Sequence, residues 1–362
     1  MTGTSIDGLD AALVRVRGRG LEMRAEFVRG VSRGLGELGS GLRQLADQEP
    51  MTAGDIARLM RDFALLHATT IRELMRGEPS PTLVSVHGQT VFHAPPVSWQ
   101  MFNASVLAHE VGAPVVFDLR AADLAVGGQG APITPLADWI LFRGERPTAV
   151  VNLGGFCNAT ILPGVAAAAS TEDMIHAINS IEGYDVCACN HVLDSVAREC
   201  LRTAYDTGGA AALAGNINET ARDELATALG VQAQSGRSLG TGDETGRWIE
   251  AWRNRLAGND MSATACAAIG NTIADRLHDV RTILAAGGGA HNAALLRSIR
   301  VRSGAELQTT SSRGVPIEFR EAAEMAVLGA LCADRVPITL PQVTGVNGGR
   351  HSAPIAGIWA GV

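Results

Sequence analysis

At 362 residues the chain is longer than one hydrophobic core usually serves, which points to two domains. It is 46% hydrophobic and 19% charged, the balance of a soluble globular protein. A net charge of -7 with scattered basic residues argues against nucleic acid as a partner. The sequence also holds no apolar run of about 18 residues to span a membrane and no signal peptide at its start.

The first strong helix signal runs from Thr52 to about Arg76. Thr52 and Asp55 form a capping pair, and Ile56, Leu59, Met60, Phe63 and Leu66 repeat at helical spacing. Gly77 is its stop. Short apolar strands follow at 82–86 and 114–117. A hairpin follows at 148–153 and 159–162, closed over Gly154-Gly155. Residues 190–204 and 262–279 read as helices, with Cys266, Ile269, Ile273 and Leu277 on one face of the second. A buried strand at 281–286 ends in Gly287-Gly288-Gly289 and feeds a helix from Asn292 to Arg300. A strand at 306–309 and an Ala-rich helix at 320–333 complete the pattern. The tail from Pro341 reads as irregular, and 206–245 as the most mobile region. Strands that end in glycine and feed helices indicate an α/β fold with ligands at strand ends. The domains are expected at 1–135 and 136–340, with a tail at 341–362 packing back on them.

Glycine turns carry most of the chemical signal. Gly3, Thr4, Ser5, Asp7, Gly8 and Asp10 offer open backbone N–H groups, hydroxyls for phosphate oxygens, and carboxylates for Mg²⁺ held through water. Gly154-Gly155 and Gly287-Gly288-Gly289 with Asn292 repeat the theme at two later strand ends. His87, Gln89 and Thr90, then Arg120 and Asp123, form a second group dense in hydroxyl-binding side chains. Arg120 suits a carboxylate or phosphate, with Asp123 either orienting it or pinning a loop with it. Asp185 sits ahead of a helix start and is read either as a general base or as a helix cap. Six cysteines form no C-x-x-C pair and are expected as free thiols. Nothing completes a metal set around Cys187, Cys189 and His191.

In this order the motifs resemble the anhydro-N-acetylmuramic acid kinases. They are Gly3–Asp10, His87-Gly88-Gln89-Thr90-Val91, Gly127–Pro132, Asn152–Gly155, Gly287–Asn292 and Leu340–Gly345, and the resemblance spans nearly the whole chain. It implies a two-domain actin/hexokinase-like fold with ATP in the cleft between the domains, and Mg²⁺ beside it. It implies a cytoplasmic homodimer that opens a 1,6-anhydro ring with water while the freed O6 takes the γ-phosphate, in the recycling of cell-wall sugars. By the same resemblance Asp185 is the base that activates water, and Arg120 faces the sugar. Gly3–Asp10 and Gly154-Gly155 hold phosphates, and Gly287–Gly289 lie on the adenosine side.

The sequence departs from the family pattern in four places. The family has a short apolar strand before the first phosphate turn, whereas this sequence opens inside that turn, and a turn lacking such support is expected to bind ATP weakly. Val186-Cys187-Ala188-Cys189 replaces Thr-Gly-Pro-Gly or Thr-Gly-Pro-Ala, and Met101-Phe102-Asn103 replaces Ile-Gly and an acid. Arg237–Glu244 replaces a shorter Arg-bearing loop. Three readings therefore stand: a kinase for 1,6-anhydro-N-acetylmuramic acid, a kinase for another anhydro sugar such as levoglucosan, and a weakly catalytic nucleotide- or sugar-binding paralogue. The changes fall where the sugar is expected, so an altered substrate preference on a retained nucleotide site is the corollary.

Overall fold

The structure is a computed structural model that describes residues 1–3, 6–234, 244–346 and 354–361. In chain order its strands are β1 (Leu9–Arg17), β2 (Arg24–Arg33), β3 (Val84–Ser85), β4 (Gln89–Ala94), β5 (Val97–Met101) and β6 (Val115–Phe117). There follow β7 (Thr148–Leu153), β8 (Phe156–Leu162), β9 (Glu182–Ala188), β10 (Thr282–Ala286), β11 (Glu306–Thr309) and β12 (Ile358–Ala360). They divide between two units. One comprises Met1–Arg143, Ala168–Ile181 and Gly314–Val362; the other comprises Gly144–Ala167 and Glu182–Arg313.

The second unit is built on a five-stranded sheet in the order β11-β10-β7-β8-β9. β7, β8 and β9 form an antiparallel meander, while β10 runs parallel to β7 and β11 parallel to β10. This mixed sheet, with helices packed on it, is of the α/β class. The parallel part is covered on both faces, so β10 is buried at every residue and β7 at all but Asn152. The expected hairpin at 148–162 is present, closed at Gly154-Gly155. The segment expected to be mobile, 206–245, carries helices Ala210–Ala214 and Glu219–Gln234, whose alanines favour helix, while residues 235–243 lie outside the described residues.

The first unit holds the β1–β2 hairpin, the β4–β5 hairpin and the sheet β12-β6-β3. Against these lies the Ala53–Leu74 helix, capped as expected by Thr52, whose hydroxyl accepts from the Asp55 N–H. Its buried side contributes Phe63 and His67 to an aromatic cluster with Phe102, at centroid distances of 4.4 Å for Phe63–His67 and 4.8 Å for His67–Phe102. Phe102 is thus a core residue. The following Asn103 caps the Ala104–Val111 helix through the Val106 N–H, as a carboxylate would.

The contiguous division at 135/136 does not coincide with these units. Helices Pro135–Phe142 and Arg320–Ala333 both lie in the first, joined by a fully buried ion cluster. Arg320 grips both oxygens of Asp138 at 2.8 Å and reaches Glu324 at 2.7 Å. The tail joins the same unit, since β12 pairs antiparallel with β6.

Burial, with Asp138 alongside, pushes the Glu324 carboxyl well above its ordinary range. Above the ordinary glutamate pKa of about 4.3 the unfolded chain releases the carboxyl proton while the folded chain keeps it, so stability falls as pH rises. Glu324→Gln should remove that penalty, leaving the variant more stable relative to wild type at pH 8 than at pH 4 by denaturant unfolding. Arg320→Ala, which takes the guanidinium away from buried Asp138, should cost about 3–5 kcal/mol in the same assay.

Candidate active site

In the second unit the glycine turns converge at the C-terminal ends of β7 and β10. Gly287 has a φ of +78°, and a β-carbon there would lie 2.6 Å from Asn152 Oδ1 and 2.9 Å from the Leu153 backbone. One on Gly289 would meet the Leu153 side chain at 2.8 Å and Asn190 Oδ1 at 2.9 Å. Asn190 closes the knot: its Nδ2 donates to Leu153 O, and its main-chain N–H donates to Gly154 O. Cys189 likewise donates its N–H to Gly155 O. Bare backbone thus gathers at the C-terminal ends of parallel strands, where ligands bind in open α/β sheets.

Asn292, expected beside the nucleotide, has its side chain engaged. Its Oδ1 accepts from the Leu295 N–H at 3.0 Å and caps the Ala293–Ser303 helix, while Nδ2 lies 3.6 Å from Cys266 Sγ. Asp185 is neither ahead of a helix nor a cap. It lies within β9, opposite Asn158 on β8 and beside a register shift in that pair, and is half-buried. The helix starts at Asn190. Cys187 and Cys189, which replace smaller residues of the family pattern, are fully buried, so their bulk is taken up in the core.

In the first unit Arg120 is the centre of a polar cup. Its Nε and Nη2 both donate to His87 Nε2, at 3.1 and 3.0 Å, and Nη1 donates to Gly130 O at 2.6 Å. His87 Nδ1 lies 2.9 Å from Gly88 O. Burial and the adjoining guanidinium push the imidazole down to about 3, so it stays neutral and accepts from Arg120. Burial also pulls Arg120 down to about 10, leaving it charged at neutral pH. Among the described residues no carboxylate forms an ion pair with it; Asp118 and Glu321 act on its charge from farther away.

Asp123 holds the loop rather than bonding to the arginine. Its Oδ2 accepts from the Gly130 N–H at 2.8 Å, and its Oδ1 from the Thr344 hydroxyl at 2.7 Å. Gln89 is fully buried, and its Oε1 has no hydrogen-bond partner among the described residues, leaving an acceptor that a ligand O–H would satisfy. Thr90 accepts from Gln100 Nε2 at a long 3.4 Å.

The opening turn also lies in this unit. Gly3 O accepts from the Ile6 N–H, while Asp7 is exposed. Gly8 follows just before β1, a β-carbon there lying 3.5 Å from Arg33 O. Asp10 Oδ1 accepts from Ser32 Oγ, and burial raises its carboxyl. Thr4 and Ser5 lie outside the described residues, as does most of the 237–244 loop. The sequence reading missed Asn190, a polar residue at a helix start beside a glycine turn, and Glu321, whose only signal was an acid at the start of an Ala-rich helix.

The sequence model described as "Anhydro-N-acetylmuramic acid kinase" matches residues 1–353. The chain belongs to the anhydro-N-acetylmuramic acid kinase family. An anhydro-N-acetylmuramic acid kinase of Crocosphaera subtropica is 30% identical, the match covering 97% of this chain and 96% of that protein. One of Paraburkholderia xenovorans is also 30% identical, over 97% and 94%. A likeness to a solved structure is more remote. Component A of the (R)-2-hydroxyglutaryl-CoA dehydratase of Acidaminococcus fermentans aligns over 88% of this chain and 98% of that chain, at 12% identity and a TM-score of 0.45, a likeness too remote to bear on the site. The family is one of sugar kinases, and no described helix is long and apolar enough to cross a membrane.

Gly287→Ala puts a side chain against fixed backbone at a positive φ. It should lower stability by about 1–3 kcal/mol and weaken ATP binding at least tenfold, read by denaturant unfolding and by nucleotide titration calorimetry.

Proposed function

We propose that this chain phosphorylates 1,6-anhydro-N-acetylmuramic acid with ATP and opens the anhydro bridge with water in the same reaction. The observation that carries the choice of sugar is Arg120, a charged guanidinium fixed by His87 and Gly130 with no ion-pair partner among the described residues. Muramic acid bears a carboxylate that such a group recognises, whereas levoglucosan bears none. The departures from the family pattern at Phe102, Asn103, Cys187 and Cys189 are absorbed by the core or by a helix cap, which removes the main reason to infer a different substrate.

Asp185 takes a proton from water as the water oxygen bonds to C1 of the sugar. The C1–O6 bond breaks, and O6 bonds to the γ-phosphorus as ADP leaves. The Gly154-Gly155 and Gly287–Gly289 turns hold the nucleotide with main-chain groups, and positioning of this kind supplies most of the catalysis of phosphoryl transfer. Asp7 and Asp10 are hard oxygen donors of the type Mg²⁺ prefers and would hold it through water. When bound, that ion neutralises phosphate charge. The substrate class places the protein in the cytoplasm.

Sugar-dependent ADP release should appear with 1,6-anhydro-N-acetylmuramic acid, exceed that with levoglucosan, and be absent without sugar. In ¹⁸O water the label should enter at C1. Turnover without label at C1 would overturn the ring-opening step, and equal rates on both sugars would overturn the choice of substrate.

Two variants separate the roles. Asp185→Asn should lower kcat about 10²–10⁴-fold with little change in KM. Arg120→Gln should raise KM for the muramic acid sugar about 10-fold or more and leave levoglucosan unaffected.

A further inference from the structure

His191 follows Asn190 in the first turn of the Asn190–Val196 helix, and no role assigned above uses it. Its main-chain N–H donates to Gly155 O at 3.2 Å, beside the Cys189 N–H, which reaches the same oxygen at 2.9 Å. Asn190 donates its N–H to Gly154 O at 3.0 Å. Both carbonyls of the glycine turn are therefore directed at the start of the helix and engaged there by donors. A carbonyl oxygen facing a ligand would repel an anion, and these two are turned away from that use.

The His191 ring lies on the turn itself. A β-carbon at Gly155 would meet its Nε2 at 2.5 Å and its Cδ2 and Cε1 at 2.9 Å, so the imidazole occupies the space that the missing side chain leaves. Phe156, the next residue, packs edge-on against the ring at a centroid distance of 4.9 Å and an interplanar angle of 70°. Contact with Gly155 and with Phe156 fixes the ring over the Gly154-Gly155 turn. His191 is nevertheless exposed, so filling a core does not account for its place. Neither ring nitrogen has a hydrogen-bond partner among the described residues. Asp194, one turn along the helix, interacts with the ring through charge without a hydrogen bond.

We propose that His191 is a further nucleotide-binding residue, one of whose ring nitrogens donates to an oxygen of the ATP phosphate chain where that chain meets the Gly154-Gly155 turn. The chemistry it recognises is a phosphate anion, so a nucleoside without phosphates gives the ring nothing to bond. Gly155 is bare for the same purpose, since a side chain there would expel the imidazole. The inference rests on the reading that this turn holds phosphates, and it adds that a side chain as well as main chain makes the contact.

The test is calorimetric titration of ATP, ADP and adenosine into wild type, His191→Ala, His191→Gln and His191→Asn, with thermal unfolding of each as the check on the fold. The amides of Gln and Asn place an N–H donor roughly where Nε2 and Nδ1 stand. Wild type should bind ATP and ADP more tightly than adenosine. His191→Ala should raise the Kd for ATP and ADP about tenfold or more, the loss of one hydrogen bond to a charged group, and leave that for adenosine unchanged. Gln or Asn should recover most of that loss. Where wild type prefers ATP to adenosine, an Ala variant that keeps the full preference overturns the proposal and leaves the phosphate turn standing. Equal weakening of all three ligands also overturns it, as does a loss that neither amide recovers, which would assign the ring to packing on Gly155 and Phe156. Wild type that binds ATP no more tightly than adenosine overturns the reading of the turn itself.

Discussion

The second unit depends on bare backbone where β7 and β10 end. Gly287 and Gly289 come so close to Leu153, Asn152 and Asn190 that a single methyl group would force the strands apart. That approach locks the turn after β10 against the turn after β7 and leaves main-chain groups as the surface presented at the strand ends. It also fixes the start of the Asn190–Val196 helix, because Asn190 donates both its side-chain and its main-chain N–H to the turn after β7. The surface presented at the strand ends and the packing of the unit are thus the same set of contacts. Close packing of this kind has no slack to absorb an added atom.

The first unit solves a different problem, that of holding a charged group half-buried without neutralising it. Arg120 is fixed by acceptors that carry no charge, a neutral imidazole and a peptide carbonyl. A carboxylate in either place would have neutralised the guanidinium's charge. The carboxylate that is present, Asp123, is spent one step back on the Gly130 N–H and on Thr344. Charge is therefore used to shape the loop, and neutral groups are used to aim the arginine. Such a division keeps the cation available at a cost that burial shows in its lowered affinity for a proton.

Elements written in local signals were legible in the sequence. Thr52 with Asp55 and the 3.6-residue repeat behind them marked a helix start, and the apolar runs around Gly154-Gly155 marked a hairpin. The glycine clusters marked where backbone must come close. Other elements were written just as locally but passed unread: Val14 and Val16 alternate with Arg15 and Arg17 in β1, the two-residue period of a strand. Asp185 was placed ahead of a helix rather than in a strand, because Glu182–Ala188 lacks the apolar run that announces a strand, and its partners on β8 are what make it one. The unit boundary was out of reach for a stronger reason. Asp138 and Arg320 lie 182 positions apart, and nothing local to either says that they share a buried cluster. The role of Phe102 was hidden in the same way, since only the folded chain brings Phe63 and His67 against it.

The cysteines lend the molecule one further property. Cys157, Cys187, Cys189 and Cys266 are buried in the second unit, and burial holds every one of these thiols well above its ordinary pKa. Cys332 is the corresponding buried thiol of the first unit, while Cys200 is half-buried. A thiolate forms readily only where water reaches it. Alkylating reagents will therefore modify Cys157, Cys187 and Cys189 at the rate at which the β8–β9 region opens, and Cys332 at the rate at which the first unit does. The native chain carries its own reporters of two separate opening motions, distinguishable by mass without any added label.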